Sequence, residues 1–119
     1  EAMARAPRIH GHRRDGPRAG IDIDARHADG RRWIIEAKGE VASDQQQGNY
    51  FLGALGELLQ RMDDRSATYA LALPRNHRYR SLVRRLPTLA KRRLGLVAIW
   101  VDVGGGAPTV CAEWLVEDE

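Results

Sequence analysis

The chain has 119 residues, 43% apolar and 29% charged, which fits one soluble globular domain with a single core and excludes a disordered or fibrous protein. No run of eighteen apolar residues could span a bilayer, and no apolar signal-peptide core opens the sequence. Cys111 is the single cysteine and has no Cys or His at zinc spacing, so an internal disulfide is excluded and a reducing cytoplasm is the expected compartment.

The formal net charge of +3 is unevenly spread. Arg75–Arg93 holds eight Lys and Arg and no acid, and Arg5–Arg18 adds five arginines against Asp15 alone. Such clusters suit a polyanion, although an arginine-rich solvated face would look the same. His10 and His12 come closest to a metal-binding pair, but they stand isolated in a basic stretch.

In chain order, residues 1–7 (EAMARAP) do not begin with Met and favour helix until Pro7, so they read as an N-terminal helix stub or an expression scar. Arg8–Arg14 alternates weakly as a first strand, and Asp15-Gly16-Pro17 signals a turn. Ile21–Arg26 alternates strictly, with Ile21 and Ile23 on one face and Asp22 and Asp24 on the other. Asp29-Gly30 then predicts a hairpin into Trp33-Ile34-Ile35 and on to Gly39.

Ser43 or Asp44 can cap a helix to about Arg61, with Phe51, Leu52, Leu55, Leu58, Leu59 and Met62 as its apolar stripe. Gly48, Gly53 and Gly56 weaken that helix, and close packing onto the sheet is the expected compensation. Ala67–Leu73 reads as a buried strand. Tyr79–Arg93 reads as helix with Leu82, Val83, Leu86, Leu89 and Leu94 inward, interrupted at Pro87. Gly95–Val103 is a further strand, Gly104-Gly105-Gly106 a turn, and Thr109–Val116 a last strand. The order predicts an α/β (α+β) layer fold, a central mixed sheet flanked by helices, within one domain over residues 1–119.

Glu36 and Lys38 share a strand face by their i, i+2 spacing, beside a segment that looks buried. Charges so placed must be paired or bound to a cation. Asp22 and Asp24 on the neighbouring strand can bring a second carboxylate. Two acids suit Mg²⁺, which takes a few carboxylate oxygens and completes its shell with water. A lysine beside them can orient or deprotonate a nucleophilic water. A structural Glu36–Lys38 salt bridge is the plain alternative.

The stretch Gly20–Glu40 (GIDIDARHADGRRWIIEAKGE) resembles the PD-(D/E)xK, or restriction-endonuclease-like, nuclease superfamily, in a Gly-Ile-Asp context like that of Mrr-type members. The resemblance covers Arg8 to about Val103 and implies an αβββαβ core and Mg²⁺-dependent cleavage of DNA, with Mn²⁺ as a substitute cation. It assigns Asp22 and Glu36, with the Ala37 carbonyl, to the metal, and Lys38 to the nucleophilic water; Asp24 is a rival for the first acid. Gln46 and Tyr50 fit the QxxxY pattern of RecB-like members. An acid on a first core helix has no match beyond Glu1. The arginines of Arg8–Arg18 and Arg75–Arg93 become candidate DNA-backbone contacts. By analogy with small nucleases of this fold, a homodimer is expected. A non-catalytic nucleic-acid-binding or interaction module of the same fold is the alternative.

Overall fold

The computed structural model describes residues 22–39, 43–102 and 104–115, together with the backbone of residues 3–5 and 10–13. The elements are β1 (Met3–Arg5), β2 (His10–Arg13), β3 (Ile23–Arg26), β4 (Arg32–Ala37), α1 (Asp44–Gln60), β5 (Thr68–Pro74), α2 (His77–Arg84), α3 (Thr88–Leu94), β6 (Leu96–Asp102) and β7 (Thr109–Trp114). The protein is α+β. Its mixed sheet runs β1-β7-β6-β5-β4-β3-β2, with β4, β5 and β6 mutually parallel and every other pair antiparallel.

Local chemistry accounts for most of these boundaries. The hairpin between β3 and β4 turns through His27–Arg31, with Gly30 at φ 90° and the Arg31 amide donating to Asp29 Oδ1. Only Gly takes that backbone conformation without strain. Ser43 caps α1, its Oγ accepting from the Gln46 amide. Asn76 does the same for α2 by accepting from the Tyr79 amide, and Gly95 closes α3 in the left-handed conformation.

The three parallel strands are neighbours in chain order, so both crossovers step in the same direction across the sheet. Right-handed crossovers then put their helices on the same face. The packing agrees: Phe51, Ala54 and Leu58 of α1, and Tyr79 and Val83 of α2, bury against Ile34, Tyr69, Leu71, Leu73, Ala98 and Trp100. Leu94 of α3 joins the same cluster. Trp33, Ile35, Ala70, Val97, Ile99 and Ala112 form a second cluster on the opposite face. Among the described residues the helices therefore cover one face of the sheet and do not flank both. No helix there is long and apolar enough to cross a membrane.

Three local expectations change. Met3–Arg5 is an edge strand paired with Cys111–Glu113, where residues 1–7 had suggested helix. Leu52, Leu59 and Leu89 are exposed, while Gln47 and Ala54 occupy the buried line of α1. Of the helix glycines, only Gly48 is closely approached, and by the Arg78 side chain instead of the sheet: a Cβ there would lie 3.0 Å from its guanidinium. Gly53 and Gly56 have open space around an added Cβ. The double variant Gly53→Ala/Gly56→Ala should therefore gain about 1–2 kcal/mol in urea unfolding through helix propensity alone. The Asp15-Gly16-Pro17 turn lies outside the described residues.

Candidate active site

Strand register builds the site. Ile23 faces Ile35 and Asp24 faces Ile34, so continuing the antiparallel pairing by one residue sets Asp22 opposite Glu36. Even-numbered residues of β4 share the face covered by α1 and α2. Glu36 consequently projects under α1 at the carboxyl end of β4, next to the parallel strand β5, where its partner is Leu71.

Glu36 has no solvent-exposed surface, and among the described residues neither of its carboxylate oxygens has a hydrogen-bond donor. Burial pushes its pKa up from 4.5 to about 7, and the neighbouring carboxylates of Asp22 and Glu57 add to the rise against the opposing pull of Lys38. The Asp22 and Glu36 carboxyls are close enough to hydrogen-bond when one of them holds a proton. With both ionised, neither can donate to the other.

The two candidate first acids part company. Asp22 accepts from the Ala37 amide through Oδ2 at 2.9 Å, which binds it to the residue between Glu36 and Lys38. Asp24 is engaged elsewhere, gripped through both oxygens by Arg32 at 2.9 and 2.8 Å, and Arg32 also reaches Asp64 at 3.1 Å. These carboxylates hold the Arg32 guanidinium firmly charged, and hydrogen bonds from Ser66, then from Arg32, hold the Asp64 pKa down at about 2. Thus Asp22 lies at the Glu36 end of the hairpin and Asp24 belongs to a charge network towards the other end.

Lys38 leans towards α1. Its Nζ lies 3.4 Å from Glu57 Oε1 and 5.9 Å from the centre of the Tyr50 ring. Tyr50 and Glu57, seven residues apart on one line of the helix, thus border the site. Gln46 is exposed, and the hydrogen bonds among the described residues do not join its side chain to Asp22, Glu36 or Lys38; the buried glutamine is Gln47. From α2, the fully buried Tyr79 donates its hydroxyl to the Gly39 carbonyl at 3.3 Å and so fixes the backbone just after Lys38. Burial, with Tyr50 nearby, raises the Tyr79 pKa.

Sequence reading did not single out Glu57 or Tyr79. Each had a signal: Glu57 follows Tyr50 by seven residues, and Tyr79 is the aromatic residue within an otherwise basic segment.

Beside these residues, a cavity of about 510 Å³ opens at the carboxyl ends of β4, β5 and β6. Lys38, Arg75 and Asp102 line it together with Ala72, Pro74 and Val101. The ends of parallel strands are where open sheets of this kind place ligands. The expected basic surface is divided. Arg75 borders this cavity, whereas Arg92 and Arg93 line a separate cavity with Arg31, at the opposite end of the strands. Of Arg8–Arg18, only the backbone of residues 10–13 is described, so the side-chain roles expected there, including the His10 and His12 pair, fall outside the described residues.

Among the described residues, no three His, Cys, Asp or Glu side chains are grouped to hold a metal ion. A cation at this site would rest on two carboxylates, backbone and water. No protein-family model, no curated protein and no solved structure matches the chain.

Proposed function

We propose that the protein is a divalent-metal-dependent nuclease of the restriction-endonuclease-like type, hydrolysing phosphodiester bonds in DNA. One observation carries this reading: a fully buried glutamate whose two oxygens meet no hydrogen-bond partner among the described residues, beside a second carboxylate, with a lysine two residues on, just past the strand end. Ionising the buried Glu36 beside the partly exposed Asp22 is costly, and a hard cation held between them offsets that cost. The donor set therefore fits Mg²⁺ or Mn²⁺, held by Asp22 and Glu36 with the backbone of Ala37 alongside. When bound, such an ion would supply Lewis-acid stabilisation of phosphoryl charge and a lower pKa for water.

The chain's own groups define the remaining roles. Asp22 is aimed by the Ala37 amide. Glu36 is fixed by burial between β3 and β5. Lys38, released from Glu57, would orient the nucleophilic water by donating to it, and would take its proton only after giving up its own to solvent. Arg75, beside the cavity, offers a phosphate contact. The βββαβ order of the elements from β2 through β5 supports this reading.

A second reading, a nucleic-acid-binding module without catalysis, draws on the same lysine. In the structure Lys38 is paired with Glu57 and packed against Tyr50, an arrangement that also suits a purely structural lysine. Incubating plasmid and linear DNA with the protein in Mg²⁺, Mn²⁺ or EDTA separates the two. The nuclease should cleave with either ion and stop in EDTA; binding without cleavage under every condition selects the second reading.

A further inference from the structure

A second feature lies at the other end of the β3–β4 hairpin. Two cavities, of about 410 and 560 Å³, adjoin there and share Arg31 and Arg65 in their walls. Arg26 borders the first, and Arg92 and Arg93 the second. The arginines come from four separate places in the chain: the end of β3, the hairpin turn, the loop after α1 and the last turn of α3. The acids in the walls are Asp29, Asp63 and Asp64, and Asp64 is already bound to Arg32. Positive charge is therefore in excess.

The groove is also partly ordered. Arg31 donates to Thr68 Oγ1 at 3.3 Å, Arg26 donates to the Gly30 carbonyl at 3.1 Å, and Arg32 is clamped between two aspartates. Held guanidinium groups lose less freedom when they meet an anion, and their planar donors suit phosphate oxygens.

We infer that this arginine groove binds the phosphodiester backbone of a DNA duplex, at a position remote from the acid centre. The inference rests on the nuclease reading for its choice of polyanion. It adds a second contact and a spacing. Arg31 lies just ahead of β4, five residues before Glu36, about 17 Å at strand rise. That length corresponds to about five base-pair rises along the duplex axis. A duplex whose phosphate sits at Asp22 and Glu36, and which follows the hairpin, reaches the groove roughly half a helical turn away. The groove then holds the flanking duplex without reading its sequence.

The test is binding in EDTA, where catalysis plays no part, so absence of cleavage would not be mistaken for absence of the groove. Fluorescence anisotropy with a labelled 20-base-pair duplex is followed across a salt series for the wild-type protein and for Arg26→Ala/Arg65→Ala. Both residues are exposed, so the fold should survive, and matched thermal unfolding checks this. Each lost phosphate contact lowers the slope of log K against log salt by about 0.9, so the double variant should bind more weakly with a slope smaller by about 2. Arg65→Glu alone should weaken binding further than Arg65→Ala. A folded double variant with the wild-type slope overturns the inference, as does a wild-type protein that does not bind the duplex. Displacement of the duplex by polyaspartate as readily as by unlabelled duplex of equal charge would also overturn it, assigning the groove to an acidic polypeptide.

Discussion

Replacing Glu36 by Gln should stabilise the metal-free protein at pH 8 by about 2–3 kcal/mol, a rise of roughly 10 °C in thermal midpoint, while abolishing cleavage. The sign follows from its titration. Burial, helped by Asp22 and Glu57, lifts the folded-state pKa from 4.5 to about 7. A carboxyl with a raised folded pKa takes up a proton on folding between those two values. Its contribution to stability is intact below pH 4.5, falls as pH rises, and above pH 7 becomes a penalty of roughly 3 kcal/mol for holding a buried carboxylate. Gln has nearly the same volume, carries no charge, and can donate to Asp22. The gain should therefore vanish at pH 4, where wild-type Glu36 is itself neutral. Millimolar Mg²⁺ at pH 8 should raise the midpoint of the wild-type protein more than that of Glu36→Gln, because ligand binding to the folded state stabilises it. Equal midpoints for the two metal-free proteins at pH 8 would show that Glu36 is not the strained carboxylate described above.

Part of this site was legible in the sequence. Strand alternation alone joined Glu36 to Lys38, and the Asp29-Gly30 turn brought the preceding strand beside them. Asp22 and Asp24 share a face, so periodicity could not separate them. The separation comes from Arg32, diagonally across the hairpin from Asp24, which engages that carboxylate and leaves Asp22 opposite Glu36. Glu57 and Tyr79 enter the site from helices whose docking is set by distant contacts. Local pattern carries little information about such contacts.

The fold shows the same division. Caps and turns put the ends of α1 where Ser43 and its apolar pattern placed them. The face that α1 buries was placed in part: Phe51 and Leu58 are buried and Leu55 and Met62 pack on the core as the stripe implied, but apolar pattern favours large side chains and so added Leu52 and Leu59. The helix meets the sheet along Gln47, Phe51, Ala54 and Leu58, leaving Leu52 and Leu59 exposed. A small residue such as Ala54 permits close approach, and hydrophobicity alone undervalues it. β1 was missed for a different reason. Met-Ala-Arg favours helix locally, and its strand state is imposed by pairing with residues more than a hundred positions away.

Lys38→Ala should reduce Mg²⁺-dependent cleavage by about 10²–10⁴-fold, the range for losing a positioned acid–base side chain, with little change in stability. Its Nζ is partly exposed and its partner Glu57 more so, and ion pairs of that kind contribute about 0–1 kcal/mol. Losing the contact with Tyr50 removes a similarly small amount. Glu57→Gln makes the comparison decisive. That variant weakens the same ion pair but keeps the amine, so a merely structural lysine predicts matching effects from both substitutions. A lysine that works on the nucleophilic water predicts near-complete loss for Lys38→Ala and a change of only a few fold for Glu57→Gln. Single-turnover cleavage of a labelled duplex, with the unfolding midpoint of each variant measured alongside, reads both effects. Equal activities in the two variants, at equal stability, would remove Lys38 from the reaction and leave the acids to act without it.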